Sequence, residues 1–221
     1  DCAFVPDHLN LASIGLLVMD MDSTLIAIEC IDEVADMLNM KPQVAAITES
    51  AMRGEIEFSE SLRRRVALLK GLDESALQRV YDERLKLSPG AETMLAALKA
   101  NGIKTMLVSG GFTFFTDKLK VRLGLDFAEA NLMNIVDGKI TGNVVGDVLD
   151  AQAKANHLTR IRLELGLEQN QVIALGDGAN DLKMMAVAGA GIAYHAKPVV
   201  QAQASFALNH TGLEGVIGIL S

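Results

Sequence analysis

The stretch Ile14-Gly-Leu-Leu-Val-Met-Asp20-Met-Asp22-Ser-Thr24 decides the fold of this 221-residue chain. Its apolar first half predicts a buried strand, which ends abruptly at two acidic residues. Asp20 and Asp22 are two residues apart, so an extended backbone would place both side chains on one face at the end of that strand. Two carboxylates held this close repel each other unless a cation or a proton lies between them. The stretch therefore predicts a ligand site, although a solvated turn after a core strand would explain an isolated match equally well.

Strand and helix patterns alternate along the chain from about residue 88 onward. Short apolar runs predict buried strands at 103–109, 172–176, 191–194 and 206–208. Helical patterns lie between them at 89–100, 112–123, 151–165 and 181–188. This alternation predicts an α/β fold, a Rossmann-like doubly wound parallel sheet with helices on both faces. In such sheets ligands bind beyond the carboxyl ends of the strands, where we expect Asp20, Ser109 and Asp177.

Two segments interrupt the alternation. Residues 29–86 show only amphipathic helix patterns and predict a small helical domain inserted after the first strand. Residues 131–148 contain Asp137-Gly138 between β-branched residues, which predicts a short β-hairpin that projects from the sheet. The expected domains are a core of residues 13–28 and 87–221, the inserted helical domain of residues 29–86, and an N-terminal segment, 1–12, that we interpret as the remnant of a longer chain.

The composition excludes several classes of partner. Half of the residues are apolar, and no apolar run approaches the length of a membrane span. The formal net charge of -8 argues against a nucleic-acid surface, which needs clustered positive charge, and favours small ligands. Cys2 and Cys30 form neither a disulfide framework nor a metal spacing, and no stretch resembles a secretory signal, so we expect a cytoplasmic location. The sequence leaves the oligomeric state open, a homodimer included.

Three further elements carry candidate chemistry. Ser109-Gly110-Gly111 ends a predicted strand and opens a helix, so its hydroxyl and backbone N–H groups can hold a phosphate oxygen, although such a sequence is more often only a turn. Gly176-Asp177-Gly-Ala-Asn180-Asp181 supplies two acids and an amide around a tight bend; alone, it would also fit an Asp-Gly turn with Asp181 as a helix N-cap. Lys154 is the one plausible cation near the acids, whereas most helix lysines are solvated.

Together these residues indicate phosphoryl transfer. Asp20 can act as a nucleophile and form an aspartyl phosphate, which splits a difficult hydrolysis into two steps. Asp22 can protonate the leaving oxygen and then deprotonate the attacking water. Lys154 and Ser109 would neutralise and orient the phosphate oxygens. Because the phosphate and the acids carry like charge, a hard divalent cation with oxygen ligands is needed, and Mg²⁺ fits.

Four motifs in this order, Asp20-Met-Asp22-Ser-Thr24, Ser109-Gly-Gly111, Lys154 and Gly176–Asp181, resemble the haloacid dehalogenase-like phosphatases over nearly the whole chain. The resemblance implies that Asp20 is the nucleophile and Asp22 the acid/base. It also implies that Mg²⁺ binds the side chain of Asp20, the backbone carbonyl of Asp22 and the side chain of Asp177, and that Asp181 orients these ligands. The expected substrate contacts at this end of the sheet are Ser109, Gly110 and Asn180.

Four other stretches look like the phosphoserine phosphatases of that family: Ile28–Glu33, Ala51–Gly54, Phe58–Val66 and Ser109–Thr113. The resemblance implies that the inserted helical domain is a cap that closes over the site, with Met52 and Phe58 as an apolar lid that excludes water. It also implies that Glu29 and Arg65 recognise the amino and carboxylate groups of O-phospho-L-serine, and a zwitterion does need one anion and one forked cation. From the residues alone, Glu29 could merely favour a helix N-terminus, and Arg65 could belong to a solvated stripe with its two neighbours.

The expected activity is magnesium-dependent hydrolysis of O-phospho-L-serine to L-serine and phosphate, the last step of serine biosynthesis. Three alternatives stay open. A phosphatase of the same family could act on another small phosphomonoester. A receiver-type signalling domain also has a parallel sheet, a phosphorylated Asp and a Lys, but it has no use for Asp22 as acid/base or for a helical lid. A nucleotide-binding module could use Gly176–Gly178, but this stretch lacks the spacing of either common phosphate-loop motif.

Overall fold

A computed structural model describes residues 1, 4–7, 9–52 and 55–221 of the chain. The strands within these ranges are β1 (Leu16–Met19), β2 (Lys104–Phe112), β3 (Phe127–Val136), β4 (Lys139–Val145), β5 (Val172–Gly176), β6 (Ala190–Tyr194) and β7 (Phe206–Leu208). They form one sheet in the order β4-β3-β2-β1-β5-β6-β7. Neighbouring strands are parallel except for β3 and β4. The predicted α/β fold with a parallel sheet is confirmed.

The helices in the described residues are α1 (Cys30–Met37), α2 (Lys41–Met52), α3 (Phe58–Ala67), α4 (Ser75–Arg79), α5 (Ala91–Ala100), α6 (Thr113–Leu123), α7 (Ala151–Glu164), α8 (Leu182–Ala186), α9 (Pro198–Gln201) and α10 (Gly215–Ile219). Short helical turns cover Val80–Arg84, Gln169–Gln171 and Ala179–Asp181, and Met21–Leu25 is a turn whose backbone is not helical at Asp22 and Ser23. None of the helices that the structure describes has both the length and the apolarity needed to traverse a bilayer. Cys30 is buried outside any disulfide, and Cys2 lies outside the described residues.

Alternate residues of the central strand face opposite sides of the sheet. Leu17 and Met19 of β1 pack into the larger hydrophobic core, together with side chains of α5, α6, α10 and the inserted helices. Leu16 and Val18 pack on the other face, against side chains of α7 and α8. All four side chains are fully buried. Burial on both faces explains why the strand is apolar without interruption.

The helices α1 to α4 form an inserted segment between β1 and α5. The two connections to this segment run antiparallel beside each other. The N–H of Ala27 donates to the carbonyl of Lys86 at 2.9 Å, and the N–H of Ser88 donates to the carbonyl of Leu25 at 3.0 Å. The segment therefore leaves the sheet and returns to it at one place, next to the carboxyl end of β1.

The predicted hairpin is present as β3 and β4, with Asp137-Gly138 as its turn. Both turn residues have positive φ, 49° and 72°, as a tight hairpin turn requires. The first strand begins at Phe127 rather than Asn131, because its first half pairs with β2 inside the main sheet. Of the residues predicted to form the projecting hairpin, 131–148, only Asn131 pairs with β2, and the later residues of β3 pair with β4. The distal part of the hairpin packs against α3, and the carbonyl of Ile140 accepts a bond from the inserted segment.

Candidate active site

The carboxyl ends of three neighbouring strands carry the predicted acids and the predicted serine. Asp20 directly follows β1, Asp177 directly follows β5, and Ser109 lies in the last part of β2. Because β1 pairs with β2 on one side and with β5 on the other, these residues, far apart in sequence, lie at one edge of the sheet. Asp20 and Asp177 lie beyond the ends of their strands, as expected from sequence, whereas Ser109 lies within the last part of its strand.

Asp20 lies where the chain leaves the sheet. Its backbone is extended, and its Oδ1 accepts a hydrogen bond from the N–H of Met21 at 2.7 Å, which caps the following turn. Its own N–H donates to the carbonyl of Leu175 on β5 at 3.0 Å. Only 5% of the residue is exposed. The carboxylate is thus held in one buried position at the carboxyl end of β1.

Lys154 is the buried cation that faces this carboxylate. It lies in the first turns of α7, and its Nζ is 2.8 Å from Oδ1 of Asp20 and 2.7 Å from Oδ1 of Asp181. Burial disfavours the charged ammonium group, but Asp181 and Asp20 outweigh this effect and raise the pKa of Lys154 above the ordinary value for lysine. Lys154 is therefore a charged, buried group and not one of the solvated lysines typical of helix surfaces.

Three carboxylates converge next to Lys154. One oxygen from each of Asp20, Asp177 and Asp181 lies within 4.8 Å of the other two. Burial and repulsion by Asp181 raise the pKa of Asp20, and the same two causes raise the pKa of Asp177 to about 6. Lys154 supplies one positive charge to three carboxylates, so it does not balance all of their negative charge when they are ionised. A buried set of carboxylate oxygens with excess negative charge fits a hard metal cation.

Asp22 lies beside this cluster without being one of its three carboxylates. Its Oδ1 accepts a hydrogen bond from the N–H of Cys30, the first residue of α1, at 3.1 Å. Burial and the nearby carboxylate of Glu29 raise the pKa of Asp22 to about 7. A carboxyl group with a pKa near neutrality can both hold and release a proton at physiological pH. The geometry and the charge of Asp22 therefore suit an acid/base.

The Ser109-Gly110-Gly111 loop lies against these acids from the side of β2. Ser109 is buried, and its Oγ accepts a hydrogen bond from the N–H of Gly111 at 2.9 Å. A Cβ on Gly111 would lie 3.1 Å both from Oδ2 of Asp22 and from Oγ of Ser109. The predicted end of the strand at Ser109 is wrong, because β2 continues to Phe112 through an irregular, bulged part of its pairing with β3.

Two side chains of α3 approach the loop and the acids. The ring of Phe58 lies over Gly110, with Cζ 2.9 Å from the position of a Cβ on that glycine. Arg65 is half-buried, whereas Arg63 and Arg64 are exposed. The Nε of Arg65 is buried and has no hydrogen-bond partner among the residues that the structure describes. Burial and this unpaired donor distinguish Arg65 from the two arginines that precede it.

Glu29 and Arg65 share one electrostatic environment. Oε1 of Glu29 accepts a hydrogen bond from the hydroxyl of Ser23 at 2.6 Å. Crowding by protein atoms raises the pKa of Glu29, and both the Ser23 hydroxyl and the charge of Arg65 oppose this rise. Burial lowers the pKa of Arg65, and the carboxylates of Asp32 and Glu29 oppose that change. An acid and a partly unpaired guanidinium thus lie near each other, which suits a ligand with both kinds of charge.

The predicted contacts of Met52 and Asn180 with a substrate stay predictions. Met52 ends α2, and its side chain lies outside the described residues, as do Arg53 and Gly54 of the same stretch. Asn180 is half-buried in the turn Ala179–Asp181, and its amide Oδ1 lies beside Gly178.

Two further residues, Thr24 and Asn131, bond to groups of the site and have no role predicted from the sequence. The hydroxyl of Thr24 donates to Oδ1 of Asp177 at 3.0 Å, and its place in the first motif was the available signal. Asn131 is buried on β3, and its side chain bonds to the carbonyl of Gly110. No local pattern marks Asn131, because its partner lies on another strand.

A protein-family model described as "Hydrolase: haloacid dehalogenase-like hydrolase" matches residues 14–189, a range that includes all four motifs. The chain belongs to the haloacid dehalogenase-like hydrolase family. This hydrolase is 50% identical to the phosphoserine phosphatase of Polaromonas sp. over 220 residues, which are 97% of this chain and 93% of that protein. Two solved structures, a phospho-aspartyl intermediate analogue of phosphoserine phosphatase and a substrate-bound phosphoserine phosphatase complex, each match with a TM-score of 0.88. Each is 38% identical and covers 94% of this chain and 99% of its own.

Proposed function

We propose that this haloacid dehalogenase-like hydrolase hydrolyses O-phospho-L-serine to L-serine and phosphate through an aspartyl phosphate on Asp20. One observation carries the proposal: Asp20 is buried and paired with Lys154, next to Asp22, whose pKa is raised to about 7. This arrangement combines a nucleophile, a cation for the phosphate and an acid/base. The similarity to phosphoserine phosphatases over nearly the whole chain supports the choice of substrate.

The reaction begins when a carboxylate oxygen of Asp20 attacks the phosphorus atom. A bond forms between Asp20 and phosphorus, the bond from phosphorus to the serine oxygen breaks, and Asp22 gives its proton to that oxygen. In the second step Asp22 takes a proton from a water molecule that attacks the aspartyl phosphate. Phosphate leaves, and Asp20 is regenerated.

Two groups bind the phosphate oxygens in this proposal. The ammonium group of Lys154, already fixed by Asp20 and Asp181, neutralises charge on the phosphate. The hydroxyl of Ser109 accepts a bond from Gly111 and can donate its own proton to a phosphate oxygen. Gly110 and Asn180 complete the predicted contacts. The groups act by position and charge, which is what phosphoryl transfer requires.

The proposal includes Mg²⁺ as the metal cofactor. The side chains of Asp20 and Asp177 and the backbone carbonyl of Asp22 would hold it, because oxygen donors suit this cation. Asp181 bonds to Lys154 at 2.7 Å and accepts from the N–H of Gly178 at 3.1 Å, so it is placed to orient these ligands. When bound, the ion supplies positive charge that offsets the repulsion between the acids and the phosphate.

The inserted segment of residues 29–86 would act as a cap over a core of residues 13–28 and 87–221. The unpaired Nε of Arg65 would receive the carboxylate of the substrate, and Glu29 its ammonium group. Phe58, which lies over Gly110, would close the apolar side of the site together with Met52. The proposal therefore assigns selectivity to the cap and chemistry to the core.

The reaction would be the last step of serine biosynthesis. The cysteine content favours the cytoplasm as its location. A homodimer stays a prediction. A receiver-type domain is disfavoured, because it would not need an acid/base with the raised pKa of Asp22. A phosphatase acting on another small phosphomonoester differs from the proposal only in its substrate.

Phosphate release from a panel of phosphomonoesters tests the proposal. The panel contains O-phospho-L-serine, phosphoethanolamine, which lacks the carboxylate, and 3-phosphoglycerate, which lacks the amine. Each is assayed with Mg²⁺ and with chelator, for the wild type and for Asp20→Asn. We expect magnesium-dependent preference for phosphoserine that the variant loses. Broad or absent turnover would contradict the substrate assignment, and a long-lived aspartyl phosphate without turnover would favour a receiver.

A further inference from the structure

A side chain on β3 holds the Ser109-Gly110-Gly111 loop in place. Nδ2 of Asn131 donates to the carbonyl of Gly110 at 2.8 Å, and Oδ1 of Asn131 accepts from the N–H of Leu149 at 2.7 Å. Asn131 is only 2% exposed. A polar amide is buried without cost only when it is hydrogen-bonded, and here each end of the amide bonds to a different segment of the chain.

The loop needs such support because it contains two consecutive glycines, each of which lies in close contact with another side chain. A Cβ on Gly110 would lie 2.9 Å from the ring of Phe58, and a Cβ on Gly111 would lie 3.0 Å from Cε of Met21. Two consecutive glycines leave the backbone more freedom than any other pair of residues. A loop that must present fixed groups to a phosphate therefore requires an external restraint.

Regular sheet pairing does not supply this restraint. The pairing of β2 with β3 shifts between Val108 and Phe112, which places the loop in a bulge. Within a bulge some main-chain groups lose their partners on the neighbouring strand. The carbonyl of Gly110 bonds instead to the side chain of Asn131, which replaces a bond of the strand ladder.

The other end of the Asn131 amide fixes the start of α7. Leu149 precedes Asp150, whose side chain caps the helix by accepting from the N–H of Ala153 at 2.8 Å. The carbonyl of Asp150 accepts from the N–H of Lys154 at 2.9 Å. One side chain thus connects the glycine loop to the helix turn that carries Lys154.

We propose that Asn131 is a positioning residue for phosphate binding, which aligns the hydroxyl of Ser109 and the ammonium group of Lys154 on one phosphate. With the Gly110 carbonyl bonded to Asn131, the N–H of Gly111 is directed at Oγ of Ser109, and the hydroxyl proton stays available for a phosphate oxygen. The inference rests on the proposed function, and it extends the site from groups that touch the phosphate to one that aligns them.

Two substitutions of Asn131 and one matched control test this inference. Asn131→Asp keeps the size and the bond to Leu149, but it places a carboxylate oxygen against the carbonyl of Gly110. Asn131→Ala removes both bonds. Asn143→Ala changes an exposed asparagine on β4 of the same hairpin and serves as the control. The primary measurement is the affinity for inorganic phosphate by titration calorimetry in the presence of Mg²⁺, with steady-state kinetics and thermal unfolding alongside.

We expect both Asn131 variants to bind inorganic phosphate about tenfold more weakly, as the loss of a buried hydrogen bond implies, and to raise KM for phosphoserine similarly. The inhibition constant of L-serine, which lacks the phosphate, should change less than about twofold in these variants. For Asn143→Ala, the phosphate affinity, KM and inhibition constant should all change less than about twofold. Unchanged phosphate affinity would overturn the inference. Equal losses for phosphate and L-serine would also overturn it, because they would mark a general loss of packing.

Two features of the design keep the result interpretable. If Asn131→Ala does not fold, Asn131→Asp decides the question, because it preserves the volume and the Leu149 bond. Inorganic phosphate is a product of any phosphomonoesterase reaction, so its binding tests Asn131 independently of the organic substrate. Failure of the wild type to hydrolyse phosphoserine would overturn the proposed substrate alone.

Discussion

The ring of Phe58 on α3 lies over Gly110 in the bulge of β2, with Cζ 2.9 Å from where a Cβ on this glycine would be. This contact joins the inserted helices to the loop that we propose binds phosphate. A Cβ in place of the glycine hydrogen would therefore force the ring to shift.

Gly110→Ala should therefore weaken the closure of the inserted helices over the site more than it lowers the stability of the fold. Gly110 does not have a positive φ, so its backbone accepts alanine, but the new methyl group must displace the Phe58 ring. We expect kcat/KM to fall at least about fivefold, since overpacking typically costs about 1–3 kcal/mol. Gly218→Ala, where a Cβ meets no atom within 4 Å, is the control. Phe58→Leu should restore part of the loss in the Gly110→Ala background, and purely additive effects would contradict this explanation.

Asp20→Asn and Asp22→Asn should separate the nucleophile from the acid/base. The neutral amide at position 20 is a poor nucleophile, so we expect kcat to fall at least about a thousandfold. Asp22→Asn should slow the chemical step but leave Mg²⁺ affinity largely intact, because the expected metal contact of Asp22 is its backbone carbonyl. Steady-state kinetics and Mg²⁺ titration measure both effects, with the exposed Asp117→Asn on α6 as the control. A collapse of Mg²⁺ affinity in Asp22→Asn would refute its assigned role.

Arg65→Ala should lower selectivity for the substrate carboxylate. Its buried, unpaired Nε is placed to receive that group, and loss of a buried charge-assisted contact typically costs about 2–5 kcal/mol. We expect KM for phosphoserine to rise at least about thirtyfold, and that for phosphoethanolamine to change little. Arg64→Ala provides the matched control, because Arg64 is exposed and bonds to Glu60 on the same helix. Equal effects of the two substitutions would show that Arg65 belongs, like Arg64, to a solvated stripe on the helix and does not bind the substrate carboxylate.

The stability of the metal-free protein should fall as pH rises through the acidic and neutral range. Folding raises the pKa of Asp20, raises that of Asp22 to about 7 and raises that of Asp177 to about 6, whereas an unfolded Asp titrates at about 4. The folded state therefore keeps protons that the unfolded chain releases. The contribution of these groups to the free energy of unfolding is fully present below about pH 4 and is lost as the pH rises to about 7.

Mg²⁺ competes with those protons, so it should raise Tm more at about pH 7.5 than at about pH 5.5. Thermal unfolding with Mg²⁺ or chelator at both pH values measures this difference. Asp177→Asn should reduce this difference in the Tm shift between the two pH values. Asp147→Asn, which changes an exposed residue, should not. A shift in Tm that is independent of pH would show that the metal does not bind at these acids.

The hairpin illustrates what a local pattern can and cannot predict. Its turn is predictable because Asp137 and Gly138 are residues that tolerate positive φ. The start of β3 at Phe127 is not, because that half of the strand is only half-buried and is defined by pairing with β2. The bulge at Gly110 escapes prediction for the same reason, since a local pattern contains no information on the register of the neighbouring strand.

The sequence by itself determined the parallel sheet and the four motifs, because continuous apolar runs and the polar residues that end them are local patterns. Only the tertiary structure decided which groups meet. It pairs Lys154 with both Asp20 and Asp181, gives Asp177 its partner Thr24, and connects Asn131 to Gly110. It also shows that Arg65 is half-buried while the two arginines before it are exposed. These relationships depend on the packing of distant segments, which determines burial, charge neighbours and hydrogen-bond partners and which no short stretch of sequence encodes.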